Sequence, residues 1–478
     1  FADAVATTDP TTPLLFAGFD ALLHKRPSPK VDELDRIFGD RLAVITDNSG
    51  HGVYFNTAVM KQHGWNVNPP ADPVGAHFGR NSDGSLNGQG FETAVLLAVA
   101  GPILAQLGNP LVSAAEYYAW MSRGGYTSTS DMTYDPKFKS AYEALAAAPS
   151  CPLRVSMWEM STTDTYNDSE SFSVAEQLLV KQGVKLWTDG SPWIGNIAIS
   201  FPPYLSTEAT RTAGIDPAVA GGPQSMNYSL EQLNAVLDVA APTGWQMAFH
   251  ANGDLAIELA LDAYEGGALH RHNLLGTDHR WRLEHLGGAG TRRQFDRAAG
   301  LGGARLDGAV PVLLLGGRSA GRPDLRSRAR QPVGGAFADA VASGAVVSLH
   351  NDGSVSPPTP VLNIQTAVTR RTRAGTVHGA DQCITLDHAL RAHTINAART
   401  LHRDKLIGSL EVGKLADFTE LAADPYAVDP AQLAEKATVS GTWLGGERID
   451  LDAFVGAISG ADAGPHEHLM GHPRHTCC

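Results

Sequence analysis

Three short stretches of the chain carry the residue types that chemistry needs. Phe249-His250-Ala251-Asn252-Gly253-Asp254 closes an apolar run, Met247-Ala248-Phe249, with a histidine and small polar residues. Arg282-Leu283-Glu284-His285 ends a second short strand-like segment in a histidine. Ala345-Val346-Val347-Ser348-Leu349-His350-Asn351-Asp352-Gly353 repeats the pattern and delivers a carboxylate, Asp352, in a Gly-bounded turn. Imidazole and carboxylate together suit zinc and related divalent ions. A carboxylate at such a place can hold metal and accept a proton from metal-activated water. One histidine after an apolar run is ordinarily structural, and one Asn-Asp-Gly is ordinarily a turn. Their recurrence at equivalent places points to a metal site.

That equivalence rests on the elements that position them. Leu255 to Tyr264 carries apolar residues at helical spacing, Leu255, Ile257, Leu259, Ala260, Ala263 and Tyr264. Strand, helix, strand is a parallel βαβ unit, so His250 and His285 fall at the carboxyl ends of neighbouring strands. A barrel of such units places its chemistry at that edge. The same alternation runs upstream: strands over Gly125–Met132, Leu153–Glu159 and Val184–Gly190, with helices through Ala141–Ala148 and Val174–Lys181. Before it, Leu42–Ile45 reads as a strand, Thr46–Gly52 and Asn81–Ser85 as polar turns, and Glu92–Leu107 as a helix. His51, in the first of those turns, is a candidate for the pocket wall, although a turn histidine is more often simply solvated.

Lys185, inside the apolar strand before the two histidine strands, is a residue seldom buried without a partner. The bland reading is a snorkelling or sheet-edge lysine. The sharper one is that burial lowers its pKa and favours a neutral amine. Such an amine can take up carbon dioxide as a carbamate, an anionic bridge between two metal ions.

Composition narrows the partners. The chain has 478 residues, 43% of them hydrophobic, and a net charge of -13. That acidity argues against nucleic acid or an anionic membrane surface, and no run has the apolar length to span a bilayer. Four cysteines, two of them the terminal Cys477-Cys478, form no disulfide framework, so a reducing, cytoplasmic setting is expected. Residue 1 is Phe and no signal-peptide pattern follows, so the natural start is expected upstream.

These motifs together resemble the metal-dependent amidohydrolases, in particular the amidohydrolase 3 group with its N-substituted formamide deformylase-like enzymes. The resemblance is carried by Val-Lys-Leu-Trp-Thr-Asp-Gly around Lys185, His-Ala-Asn-Gly-Asp at His250, Arg-Leu-Glu-His at His285 and His-Asn-Asp-Gly at Asp352. Ala367–Arg370, His393–Ala398 and Ile407–Phe418, with its Gly-Ser-Leu-Glu-Val-Gly-Lys-Leu-Ala-Asp run, add to it. The Ser49-Gly50-His51 turn and the Gly79–Glu92 segment resemble the insertion this group carries after its first barrel strand.

The resemblance implies an α/β fold: a (β/α)8 TIM-type barrel with a small β-sandwich domain and an insertion subdomain. Residues 1–115 are expected as the insertion, 116–400 as the barrel, 401–460 as part of the sandwich and 461–478 as a tail. The implied metal ligands are Lys185, His250, His285 and Asp352, holding two divalent ions, zinc by preference. Asp352, Lys185 and His250 carry the catalytic roles, and His51, Asp189, Asn252 and Asp254 are expected against the substrate. The implied reaction is hydrolysis of a C–N bond in a small N-acyl or N-formyl amine by metal-activated water, in a chain that could pair as a homodimer. A lactonase or deaminase on the same scaffold, or a truncated inactive homologue, stands as the alternative.

Two departures from the family pattern sharpen these expectations. No His-x-His, the family's strand-1 ligand pair, precedes residue 100; the other such pairs are His270-Arg271-His272 and His466-Glu467-His468. With that pair missing, the chain as given is expected to hold metal poorly and turn over slowly. Gly287–Ala340, where the family carries strand 7, contains no Lys, His, Ile, Met, Trp, Tyr, Asn or Glu. It reads either as a variable loop-and-helix region or as a stretch translated in a shifted frame around Val310–Arg318, which the genomic sequence decides.

Overall fold

A computed structural model describes the chain except residues 22–23, 105, 108–109, 201–203, 205, 219, 286–288, 304, 310–334, 354, 373–374 and 461–478. The first ninety residues build a five-stranded mixed sheet. In chain order its strands are β1 (Leu14–Phe19), β2 (Ala43–Asp47), β3 (Gly52–Phe55), β4 (His77–Arg80) and β5 (Leu86–Phe91). The spatial order is β1-β2-β3-β5-β4, with β1 and β2 parallel and the other pairs antiparallel. The polar turns at 46–52 and 81–85 are its β2–β3 and β4–β5 connections.

A seven-stranded parallel sheet follows, made of β6 (Ser128–Tyr134), β7 (Arg154–Met160), β8 (Leu179–Trp187), β9 (Gln246–Ala251), β10 (Arg282–His285), β11 (Arg305–Ala309) and β12 (Val346–His350). Each strand pairs with its sequence neighbour. The α/β reading therefore holds, with a barrel-like sheet. The described residues supply seven strands rather than a closed eight, and β6 and β12 are its two edges. Beyond those edges the Tyr126 hydroxyl donates to Asn351 Oδ1.

Strand alternation sorts the side chains. Val184, Leu186, Met247, Phe249, Leu283, Leu306 and Val347 face outward into the main core, packed against the helices Leu230–Ala240 and Asp254–Asp262. The register aligns Lys185 with Ala248, and His250 with both Trp187 and Glu284, on the inner face. Capping boxes start the crossover helices: Ser229 with Gln232 for Leu230–Ala240, and Thr291 with Gln294 for Arg292–Gly300. Leu401 packs on Trp158 and Ala248, with the partly buried Met132 against them.

One helix expectation fails. Val174–Lys181 is a turn that runs into β8, because Lys181 is buried and its ammonium meets Glu159 Oε2 at 2.5 Å on the neighbouring strand. Val174 and Leu178 still pack on apolar neighbours, so the helix-like spacing reflects burial without a helix. In the Gly287–Ala340 stretch, the helices Arg292–Gly300 and Phe337–Ala342 flank β11; Val310–Arg318 lies outside the described residues.

The C-terminal strands form at β13 (Phe418–Leu421) and β14 (Val439–Leu444), with a short β15 (Glu447–Arg448) completing an antiparallel sheet. Ser409–Asp417, expected within the sandwich, is a loop, and the sheet has three strands among the described residues. Asp417 ties this unit to the barrel-like sheet. Its carboxylate takes two bonds from the buried Arg154 of β7, at 2.6 and 3.0 Å, and one from the Gly445 amide at 2.8 Å. The helix Pro110–Arg123, which spans the expected boundary at 115, packs on Phe454 and, through Ser122, bonds Thr442 of β14 at 2.8 Å.

Candidate active site

The inner face divides into two layers. In the lower one, the Lys185 ammonium is bonded to Glu284 Oε2, and Arg282 lies 3.0 Å from Glu284 Oε1. All three side chains are nearly inaccessible to solvent, and the Arg282 guanidinium stacks 4.8 Å above the Trp158 ring. An uncompensated charge at such depth is costly, so a carboxylate between two cations is what burial of Lys185 requires.

The upper layer opens at the carboxyl ends of the strands into a small cavity lined by His51, His250, Asn252, His285, Asp352 and Trp193, among others. Four imidazoles form a chain at this level, three of them in the cavity lining and His350 beside His285. Ring centroids are 4.7 Å apart for His51 and His250, 4.2 Å for His250 and His285, and 5.0 Å for His285 and His350. His285 Nδ1 lies 3.9 Å from Asp352 Oδ2, and ligand atoms of His285, His350 and Asp352 all fall within 4.8 Å of one another. His285 Nδ1 and His350 Nε2 are buried with no hydrogen-bond partner among the described residues.

Backbone geometry aims these groups. Alternation from Leu283 would send His285 outward, but its φ of 75° ends the strand and turns the imidazole to the mouth. Asp352 has φ of 54°. Non-glycine residues in this region cost on the order of 1–3 kcal/mol each, which the surrounding packing must over-determine.

Electrostatics disfavour the charged form of His250 and His285. Burial pushes His250 and His285 well below the ordinary histidine value, and neighbouring histidines and Lys185 push them further. His51 differs. Burial alone would lower it, but Glu92, whose Oε2 lies 2.6 Å from its Nδ1, holds it above the ordinary value. Glu92 is in turn bonded by the Asn196 amide at 3.2 Å.

The profile of the amidohydrolase family matches residues 1–450. The chain belongs to that family. YtcJ of Bacillus subtilis is 26% identical over 415 residues, covering 84% of this chain and 73% of YtcJ. The N-substituted formamide deformylase of Arthrobacter pascens is 26% identical over 440 residues, covering 86% of this chain and 74% of that enzyme. Among solved structures, an uncharacterized metal-dependent hydrolase from Pyrococcus horikoshii shares the fold with a TM-score of 0.61 at 22% identity, over 88% of this chain and 79% of that one.

Within this amidohydrolase the residues singled out from sequence divide as the layers do. His250, His285 and Asp352 line one cavity, and His51 and Asn252 join them. Lys185 lies beneath, its amine taken by Glu284. His250 Nε2 is engaged as well, 3.0 Å from Asn252 Nδ2 and 3.2 Å from the Gly190 carbonyl. Asp189 stands behind the wall, wholly buried. Its oxygens accept the amides of Asn252 (2.9 Å), Gly253 (2.8 Å) and Ala198 (3.1 Å), while burial pushes its pKa up to about 7. Asp254, at the start of its helix, bonds the Ser200 amide at 2.8 Å and Ser200 hydroxyl at 2.5 Å, away from the cavity lining. Of the His-x-His pairs, His272 lies 2.9 Å from Asp238, and His466-Glu467-His468 is outside the described residues. His350 is the residue that sequence reasoning passed over. Its signal was present: it ends β12 two residues before Asp352, and strand alternation puts it on the inner face with Ser348.

Proposed function

We propose that this amidohydrolase is a metal-dependent hydrolase that cleaves the C–N bond of a small linear amide, an N-acyl or N-formyl amine. The observation that carries the reading is the pair of buried, unpartnered imidazole nitrogens, His285 Nδ1 and His350 Nε2, gathered beside the Asp352 carboxylate. Imidazole and carboxylate fit a divalent ion such as zinc. When bound, such an ion supplies a Lewis acid and lowers the pKa of water toward 7.

The chain's own groups do the rest. His285, His350 and Asp352 would hold the ion. Asp352, partly exposed at the mouth, can accept a proton from the attacking water and pass it to the leaving amine. His51, fixed by Glu92, and Asn252 form polar walls against which an amide can be oriented, and Trp193 gives an apolar surface. The name of the Arthrobacter pascens relative points to the same substrate class.

The deciding experiment pairs metal analysis of the purified chain with turnover of N-formyl amines, lactones and aminated heterocycles. Release of formate and amine, with the other substrates untouched, supports the reading. Hydrolysis of a lactone or deamination of a heterocycle alone would replace it. A specific observation supports a weak or inactive homologue as the second reading: the bonded Lys185–Glu284 pair leaves no free amine for a bridge between two metals. A chain that binds metal yet turns over none of the panel would establish that reading.

A further inference from the structure

Resting on the metal-dependent reading above, we infer that this chain holds a single metal ion on His285, His350 and Asp352, with Lys185 retained as an ammonium in its ion pair rather than used as a carbamate bridge. The sequence pattern suggested a different set, Lys185, His250, His285 and Asp352 around two ions. Three observations separate the two arrangements.

The first is who is engaged. Lys185 Nζ is bonded to Glu284, and Arg282 holds the other oxygen of that carboxylate. A carbamate would place a second anion against Glu284 and leave it with Arg282 alone. Forming the carbamate requires breaking a buried ion pair, a cost that only the charge of two bound ions could offset. His250 Nε2 is likewise within bonding distance of Asn252 and the Gly190 carbonyl. The second is who is free: His285 Nδ1 and His350 Nε2 are both buried without partners among the described residues. Buried polar atoms in native structures are seldom left unsatisfied unless something else completes them. The third is convergence. Ligand atoms of His285, His350 and Asp352 lie within 4.8 Å of one another, a spread one ion could draw together with small rotamer changes. Three protein ligands with a position left for water is the arrangement of catalytic zinc sites.

The test is cobalt titration of the full chain after chelator dialysis, followed by visible absorption and equilibrium dialysis, with folding checked by circular dichroism. The expected result is one cobalt per chain, an affinity reduced more than about 100-fold in His350→Asn, since loss of a ligand should exceed the roughly 10–100-fold typical of outer-shell changes, and near-native affinity in Lys185→Met. Wild-type chain supplied with 13C-bicarbonate should show no carbamate resonance. Two metals per chain, unchanged binding in His350→Asn, or a carbamate signal in wild type would each overturn the inference. If Lys185→Met does not fold, the stoichiometry, His350→Asn and the carbamate experiment still decide. One cobalt bound through His350 in a chain with no turnover upholds the site and rejects the hydrolase reading. No cobalt bound at all rejects the site.

Discussion

The two layers of the sheet's inner face are built from adjacent residues yet resolve their charges in opposite ways. Glu284 and His285 are neighbours in sequence. Glu284 is held between Lys185 and Arg282, whereas His285 presents a buried nitrogen with no partner among the described residues. In the lower layer each charged side chain has a counter-ion, Glu284 standing between Lys185 and Arg282. The upper layer is left incomplete by the protein alone, at the edge where parallel α/β sheets expose catalytic groups. Polarity and burial do not distinguish structural from chemical residues here. The presence of an opposite charge in contact does separate the two layers: Glu284 has two cations, and the nearest carboxylate oxygen to His285 Nδ1 lies 3.9 Å away.

The largest effect that can break this contrast is on turnover. Asp352→Asn keeps the size of the side chain but removes its charge and basicity. It should lower kcat/KM for an N-formyl amine by about 10²–10⁴-fold with little change in melting temperature. Activity within tenfold of wild type would remove Asp352 from the reaction. The lower layer should respond in reverse. Glu284→Gln strands Lys185 and Arg282 without their counter-ion and should destabilise the fold by about 3–5 kcal/mol, read from urea unfolding. An unchanged midpoint would show that this network does not support the structure.

Much of this was readable before the structure, for physical reasons. The succession of strands and helices, with small polar residues after each strand, located His250, His285 and Asp352, because a parallel sheet must place such ends together. The strands Phe418–Leu421 and Val439–Leu444 form within 401–460, the region expected to contribute to a β-sandwich. Lys185 was visible as an anomaly, but its partner was not. Glu284 is 99 residues away, and only register across β8, β9 and β10 brings the two together. His350 was hidden by its neighbour, since Asp352 drew the chemical reading of the same turn. The role of Asp189 was hidden because backbone amides carry no signature in side-chain sequence. The helix expected at Val174–Lys181 failed because Val174 and Leu178 reach their apolar neighbours from a turn that leads into β8, and spacing of apolar residues does not by itself report a helix.

Smaller effects sharpen the contrast at its border. Asp47 lies behind the His51 turn near Asp20, and burial pushes its pKa up to about 6, against two bonds from Ser49. A carboxyl that holds its proton in the folded state above its unfolded value favours folding at low pH. That contribution is fully present below about pH 4 and is lost as pH rises through about 6. Wild type should therefore lose on the order of 3 kcal/mol relative to Asp47→Asn across that interval. Parallel stability-versus-pH curves for the two proteins would refute the shift. The smallest effect is a control outside both layers. Ser229→Ala removes the cap of helix Leu230–Ala240 and should cost about 1 kcal/mol in stability while leaving metal affinity and turnover unchanged.

The bond between Arg154 and Asp417 has a consequence for how the molecule comes apart. Asp417 belongs to the C-terminal loop and Arg154 to β7, so pulling the small sheet away strands a buried guanidinium in the barrel-like sheet. Its departure cannot be a gradual fraying from the end of the chain. Backbone amides of Thr442 and Trp443, although on a three-stranded sheet at the periphery, should exchange with solvent only when those of β7 do, through one shared opening event.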